Sequence, residues 1–403
     1  MTEKFEELTK TPPFMRLNRI MQLGPVFMVY PGATHTRASH SIGVYHLGRR
    51  LLQNLAERGA CVWLTNEGVK SFLAACLLHD LGHFPYTHSL KEISLASHEA
   101  LTGEIILKEP VKSLVGAAGA DPALTAAIID KDKNASGAEL LFYRKLLSGA
   151  LDPDKLDYLN RDARFCGVPY GAQDVDFILS RLYPHQERGV DIESRLIPNV
   201  ESILFSKYLM YRTVYWHHQV RAATAMIKKA LITGLKSGFF SDESLYNLDD
   251  TSLFTLLAGI KNEKSQKSVF SLVEAVHEGR IFATAAEISY EKIDITAIRE
   301  IKSRSLLEEQ MAEELRNKGI DINGEDIIID IPEPVSFETG LFVLDEGRNF
   351  GESSSAFKTD TVNAFIQTLY AVRIFINQKY KETIKTLPQL YDIIYRILNS
   401  NKA

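Results

Sequence analysis

Three features of the sequence predict a mainly α-helical protein, a helical core carrying a small C-terminal α+β appendage. From Phe14 to about residue 235, apolar residues recur at helical spacing with no internal repeat of fixed period. Beyond residue 240 that texture gives way to short segments separated by turn and cap residues, two of them β-branched runs of strand length. The composition of the 403 residues, 45% hydrophobic and 24% charged, is that of a globular chain with ample material for a core. The organisation expected is a core over 1–235, a helical and α+β appendage over 236–360, and C-terminal helices over 361–403.

Ile42, Tyr45 and Leu52 mark one amphipathic helix, and Val69, Phe72 and Cys76 the next. Gly149 ends a later helix, and Asp152-Pro153 starts another, Asp as N-cap and Pro at the first helical position. The stretch from Ile203 to Ile232 stays apolar for several turns, with neither Pro nor Gly before Gly234, and predicts a long helix. Ser241-Asp242-Glu243-Ser244 and Leu248-Asp249-Asp250-Thr251 are turns or caps between short helices. Asp326 to Ile331, followed by Pro332, and Gly340 to Leu344 predict two short strands. A final helical stretch is expected from about Thr361 to Leu398, broken near Pro388.

With 46 Lys+Arg against 51 Asp+Glu, the formal charge is −5 and the isoelectric point lies near 6.2, which argues against a strongly basic nucleic-acid binder. The three cysteines, Cys61, Cys76 and Cys166, are too scattered for a disulfide framework or a Cys-rich zinc site. The first residues are acidic and polar where a secretory signal is basic and then apolar. The densest apolar run, Phe72 to Leu78, falls far short of the roughly 18 to 20 residues that cross a bilayer. A cytoplasmic protein without a membrane span is expected.

Seven of the eleven histidines fall between residues 35 and 98, far above their even share. Histidine is the commonest transition-metal ligand and the side chain best suited to proton transfer near neutral pH. At the centre lies Leu77-Leu78-His79-Asp80-Leu81-Gly82-His83, in which His79 and His83 share a face if the helix continues through Gly82. An Asp directly after an apolar helix is costly to bury without a cation, and a metal removes that cost. His40, His79 and Asp80 are therefore read as metal ligands, whereas His35, His46, His185 and His277 are read as structural. A second constellation runs from Asp152 to Asp162: on a helix starting at Pro153, Lys155, Tyr158 and Asp162 form one stripe with Asp154 at its N-terminal end. That stripe is either a solvated charged face or a lining that meets phosphate at one end and a hydroxyl at the other.

His40, the pair His79-Asp80 and Asp154 resemble the H…HD…D signature of the HD-domain metal-dependent phosphohydrolases. More narrowly, five segments resemble the deoxynucleoside triphosphate triphosphohydrolases: Gln22-Leu23-Gly24; Tyr30 to Arg37 with His40 to Val44; His79 to His83; Asp154 to Tyr158; and Arg161-Asp162. The resemblance implies that His40, His79, Asp80 and Asp154 hold one divalent metal ion, whether Mn, Fe, Zn, Co or Mg. It implies that Arg37, His83, His88, His98 and Lys155 contact the triphosphate, with His98 or His88 protonating the leaving oxygen. Gln22, Tyr158 and Asp162 would surround the sugar, Leu23 would touch it, and Tyr215 would lie beside the base. Lys207 stands where an arginine commonly helps hold phosphate. A nucleotide is then the substrate partner, and a homo-oligomer is expected, with the two-fold dimer the commonest symmetry.

Two departures from the family pattern alter the expectation. Regulated relatives use an Asp and the Gln and second Arg of Phe-Gln-Arg-Leu-Arg to bind an activating guanine nucleotide, whereas this chain has Lys10 and Phe14-Met15-Arg16-Leu17-Asn18. No guanine-nucleotide dependence is expected. An acidic residue common three positions after the second histidine of the phosphate cluster is Lys91 here, with Glu92 adjacent. Phosphomonoester or cyclic-phosphodiester hydrolysis on the same metal site, and a nucleotide-binding module without chemistry, remain the alternatives to triphosphohydrolysis.

Overall fold

The computed structural model describes residues 1–90, 95–133, 136–260, 267–293, 295–333 and 335–399; Lys91 and Glu92 lie outside them, as does the side chain of His88. The helical core is built around Arg37–Glu57, Asn66–Leu78 and Pro153–Cys166. Each starts on a cap that the sequence supplies: Thr36 accepts from Ser39 N, Thr65 from Gly68 N, and Asp152 from Lys155 N with Pro153 in the first turn. Leu51, Leu55, Phe72, Leu77, Leu156 and Leu159 close the space between them, all buried. The first and third helices meet at Gly43, where a Cβ would collide with the Asp157 carboxylate and the Arg161 guanidinium. That close approach brings His40 against the first turn of Pro153–Cys166.

Three expectations are corrected. The apolar helix stops at Leu78, so His79 and His83 do not share a helical face; a tight turn carries the chain from Asp80 to His83. The stretch Ile203 to Ile232 is not one helix. Ile197–Met210 widens into a π-helical turn over Tyr211–Tyr215, with Trp216 N donating to Tyr211 O at 2.9 Å, before His218–Lys236 begins. The C-terminal segment is not purely helical, because Ala371–Ile376 is a strand.

That strand is the middle of a three-stranded antiparallel sheet, flanked by Ala283–Ser289 and Ile327–Asp330, with Ile374 opposite both Ala286 and Ile329. A boundary at residue 360 therefore separates strands of one sheet. One face, bearing Ile327, Ile329, Val372 and Ile374, packs with residues of helices Ile301–Arg316 and Leu390–Leu398. Ile328 and Phe375, on the other face, pack with Met226, Ile227 and Leu231 of His218–Lys236. The expected strand at Gly340 to Leu344 reduces to Phe342–Val343, paired with Arg348–Asn349 in a separate hairpin. Phe337, Leu341, Phe350 and Leu369 around it join the helical core.

Candidate active site

His40, His79 and Asp80 each offer a ligand atom within 4.8 Å of the others. Asp154 closes the group: its Oδ1 lies 2.9 Å from His40 Nε2 and 3.8 Å from His79 Nε2. Both imidazoles are oriented by their other nitrogen. His79 Nδ1 donates to Cys76 O at 3.0 Å, and His40 Nδ1 lies 2.8 Å from Asp157 Oδ2, a carboxylate that Arg161 also grips. This carboxylate–histidine arrangement fixes ligand tautomers in metal sites. His79 Nε2 is buried with no hydrogen-bond partner, facing the Asp80 and Asp154 oxygens. Burial disfavours the imidazolium of His40, but the hydrogen bonds to Asp154 and Asp157 overcome it and carry its pKa up to about 10. The proton on His40 Nε2 stands where a cation would serve two imidazoles and two carboxylates, a donor set suited to a divalent transition metal.

Asp80 also ties the neighbouring turn together. Its Oδ2 accepts from Arg37 Nη1 at 2.9 Å and its Oδ1 lies 3.1 Å from His83 Nε2. Burial opposes ionisation of Asp80, yet His79, His83 and Arg37 hold its carboxyl well below the usual range. Burial and nearby Arg37 hold His83 well below the ordinary imidazole range. Gly82 lies against the backbone of helix His98–Ile106 with no room for a Cβ, and Thr102 Oγ1 bridges Gly82 N and His79 O. The same packing stacks the His83 and His98 rings, with centroids 3.9 Å apart. Beneath the turn, the buried Arg16 donates to Leu81 O at 2.6 Å and to His83 O at 2.7 Å.

Beside this group opens a cavity of about 400 Å³, walled in part by Gln22, Leu23, Arg37, Tyr158, Asp162 and Tyr215. The π-helical turn places both Tyr211 and Tyr215 on its wall; such turns recur at functional sites. Asp162 is fixed at both oxygens, 2.8 Å from His35 Nε2 and accepting from Tyr215 Oη at 2.6 Å. Gln22 Oε1 is buried without a partner. Asp250 joins the wall from the appendage; burial pushes its pKa up to about 6, and its Oδ2 accepts from Met21 N at 2.9 Å.

Lys155 and Lys207 meet at one carboxylate. Lys207 Nζ donates to Glu338 Oε2 at 3.1 Å and to Ser336 O at 2.7 Å, while Lys155 Nζ lies 2.7 Å from Asp152 Oδ2 and 3.9 Å from Glu338 Oε2. Burial opposes ionisation of Glu338, but Lys207 and Lys155 hold its pKa below the ordinary value. The sequence reading missed Glu338, Asp250 and Tyr211, and read His35 as structural although it holds Asp162. His35 and Asp157 stood inside quoted motifs; Glu338 carried no local signal. Lys10 pairs with Glu6 and Glu7, and Met15 and Asn18 are exposed. No helix among the described residues is long and apolar enough to cross a membrane.

The HD domain family matches residues 37–138, and the HD associated region matches 174–387. An uncharacterised Methanocaldococcus jannaschii protein, MJ1154, is 30% identical over 354 residues, covering 86% of this chain and 70% of that one. The Gallus gallus deoxynucleoside triphosphate triphosphohydrolase SAMHD1 is 26% identical over 257 residues, 55% of this chain and 41% of that protein. The chain spans about half the length of several other curated relatives it matches. A solved phosphohydrolase structure from Bacteroides thetaiotaomicron shares the fold with a TM-score of 0.69 at 24% identity, over 93% of this chain and 95% of that one. Matched in its helical core and across most of its remaining length, the chain belongs to the HD-domain family that carries the HD associated region.

Proposed function

We propose that this protein cleaves a deoxynucleoside triphosphate into the deoxynucleoside and triphosphate. The observation that carries the reading is Arg37, which lines the cavity and also donates to the metal-group carboxylate Asp80, so that nucleoside pocket and hydrolytic centre share a wall. A divalent ion bound by His40, His79, Asp80 and Asp154 would supply Lewis acidity and offset phosphate charge. Arg37 Nε, buried without a partner, is free to donate to a phosphate oxygen. Asp162, held by His35 and Tyr215, accepts from a sugar hydroxyl, and the phenol rings of Tyr158, Tyr211 and Tyr215 enclose the nucleoside. In this reading His98, stacked on His83 and with its Nδ1 3.1 Å from Glu99 Oε2, would protonate the departing 5′ oxygen. The same reading carries a cytoplasmic two-fold dimer, which light scattering would test.

Incubating the metal-loaded protein separately with dNTPs, nucleoside monophosphates and cyclic nucleotides tests the reading, because only triphosphohydrolysis releases free triphosphate. Phosphomonoester hydrolysis is the second reading, favoured by one observation: Lys155 and Lys207 each already have a carboxylate partner. Orthophosphate from monophosphates, with dNTPs untouched, is its signature.

Asp162→Ala is expected to raise KM for the dNTP about tenfold or more while leaving metal content unchanged, because one charge-assisted hydrogen bond to the sugar is lost. Asp162 lies two turns from Asp154, about 12 Å along the helix, too far to share the ion. Metal loss in proportion to activity would refute the sugar role. Added GTP or dGTP is expected to leave the rate on a single dNTP unchanged, since Lys10, a donor only, repels guanine's N–H edge and Asn18 brings no charge to phosphate. A large stimulation accompanied by assembly would overturn that expectation.

A further inference from the structure

We propose that Glu338 sets how many phosphates this site accepts: its carboxylate occupies the terminal-phosphate position between Lys155 and Lys207, and a polyphosphate enters only by exchanging for it. The inference rests on the reading that the site takes a nucleoside polyphosphate. Two ammonium groups and two carboxylates, Asp152 and Glu338, face one another, so the charge of the lysine pair is already matched before a terminal phosphate arrives. Lys207 is only 6% exposed. A buried ammonium stripped of its anion is strongly destabilised, so Glu338 can leave only as another anion arrives. Asp152 cannot be that mobile anion, because it caps its helix and is itself buried.

Glu338 is built for exchange. Its side chain keeps 36% of its surface, and it sits between the strand Ile327–Asp330 and the hairpin at Phe342–Val343, on a stretch without regular secondary structure. The stretch is pinned on either side of the exchanging group: before it Val335 N donates to Tyr370 Oη at 2.6 Å and Phe337 is buried against the core, and after it Leu341 is buried in the same core and accepts from Phe350 N at 2.8 Å. Movement of the Glu338 side chain therefore does not require the strap to unfold. A single phosphate bound at the metal group does not need the lysine pair, whereas the distal phosphates of a linear polyphosphate do. The carboxylate thus competes with long phosphate chains and is indifferent to short ones.

The test is calorimetric, on the full chain dialysed free of metal, so that inorganic tripolyphosphate reports the lysines rather than an ion. Glu338→Gln is expected to bind tripolyphosphate about tenfold more tightly than the parent, the scale of one charge-assisted hydrogen bond, and orthophosphate within about twofold of it. Adding Lys207→Met to Glu338→Gln is expected to abolish the gain, and circular dichroism checks that both variants keep the parental helicity. Equal tripolyphosphate affinity in folded Glu338→Gln and parent overturns the proposal, as does an equal gain for orthophosphate. A dNTP product assay run alongside separates the two readings. If dNTPs are not cleaved but the tripolyphosphate gain appears, the catalytic reading fails and Glu338 keeps its role; cleavage without the gain removes the role of Glu338 alone.

Discussion

Asp80→Ala is expected to yield a helical, folded protein that retains little or no divalent metal and has lost at least about 10³-fold in turnover, beyond the 10- to 100-fold typical of losing a residue behind the ligands. One oxygen of Asp80 faces His79 Nε2 at 3.4 Å and the other accepts from Arg37, so the substitution removes a ligand and an anion together. His40 and Asp154 then hold each other as an imidazolium–carboxylate pair, which resists loading of a cation. Metal analysis and far-ultraviolet circular dichroism on one preparation check this. Chelation of the parent protein is expected to abolish the activity and added metal to restore it. Full metal content in Asp80→Ala would exclude the ligand set.

Arg16→Ala is expected to lose about 3 kcal/mol of stability or more, because each buried carbonyl left unpaired costs on the order of 1 to 3 kcal/mol. The guanidinium satisfies three carbonyls at once, those of Leu81, His83 and Leu248, and burial lowers its pKa to about 10 without discharging it at neutral pH. Without it three carbonyls are left unpaired, two of them in the turn that carries Asp80 and His83. The melting temperature should fall by more than about 5 °C, and metal affinity should fall with it. Arg16→Lys is expected to recover only part of the loss, since one ammonium cannot replace a two-pronged planar donor. A melting temperature within about 1 °C of the parent would show that the turn holds itself.

The start of helix Pro153–Cys166 was legible because its signal is local, Asp152 as cap and Pro153 in the first turn; its end at Gly167, φ +69°, went unread. The cluster of His40, His79 and Asp80 was legible because an adjacent His-Asp pair directly after an apolar helix, within a run rich in histidine, is a local signal. Ala371–Ile376 was misread as helix because a short apolar run bounded by helical texture fits either state. What makes it a strand is pairing with Ala283–Ser289 and Ile327–Asp330, segments remote in sequence. Likewise, nothing in the sequence distinguishes a π-helical turn at Tyr211–Tyr215 from continued α-helix. Glu338 acquires its meaning only when the fold sets it against Lys207 and Lys155.

The position of that misread strand also fixes a timetable. The proposed metal ligands, His40, His79, Asp80 and Asp154, all precede residue 166 and leave the ribosome before the three-stranded sheet does. The middle strand of the sheet follows both outer strands, and until it emerges they lack the ladder partner between them and expose unpaired backbone. Helix His218–Lys236, which contributes Val220, Arg221, Thr224 and Lys228 to the cavity wall, gains its backing from Phe375 only at that late stage. A nascent chain thus makes the His40, His79 and Asp80 cluster available well before the cavity wall that Phe375 backs.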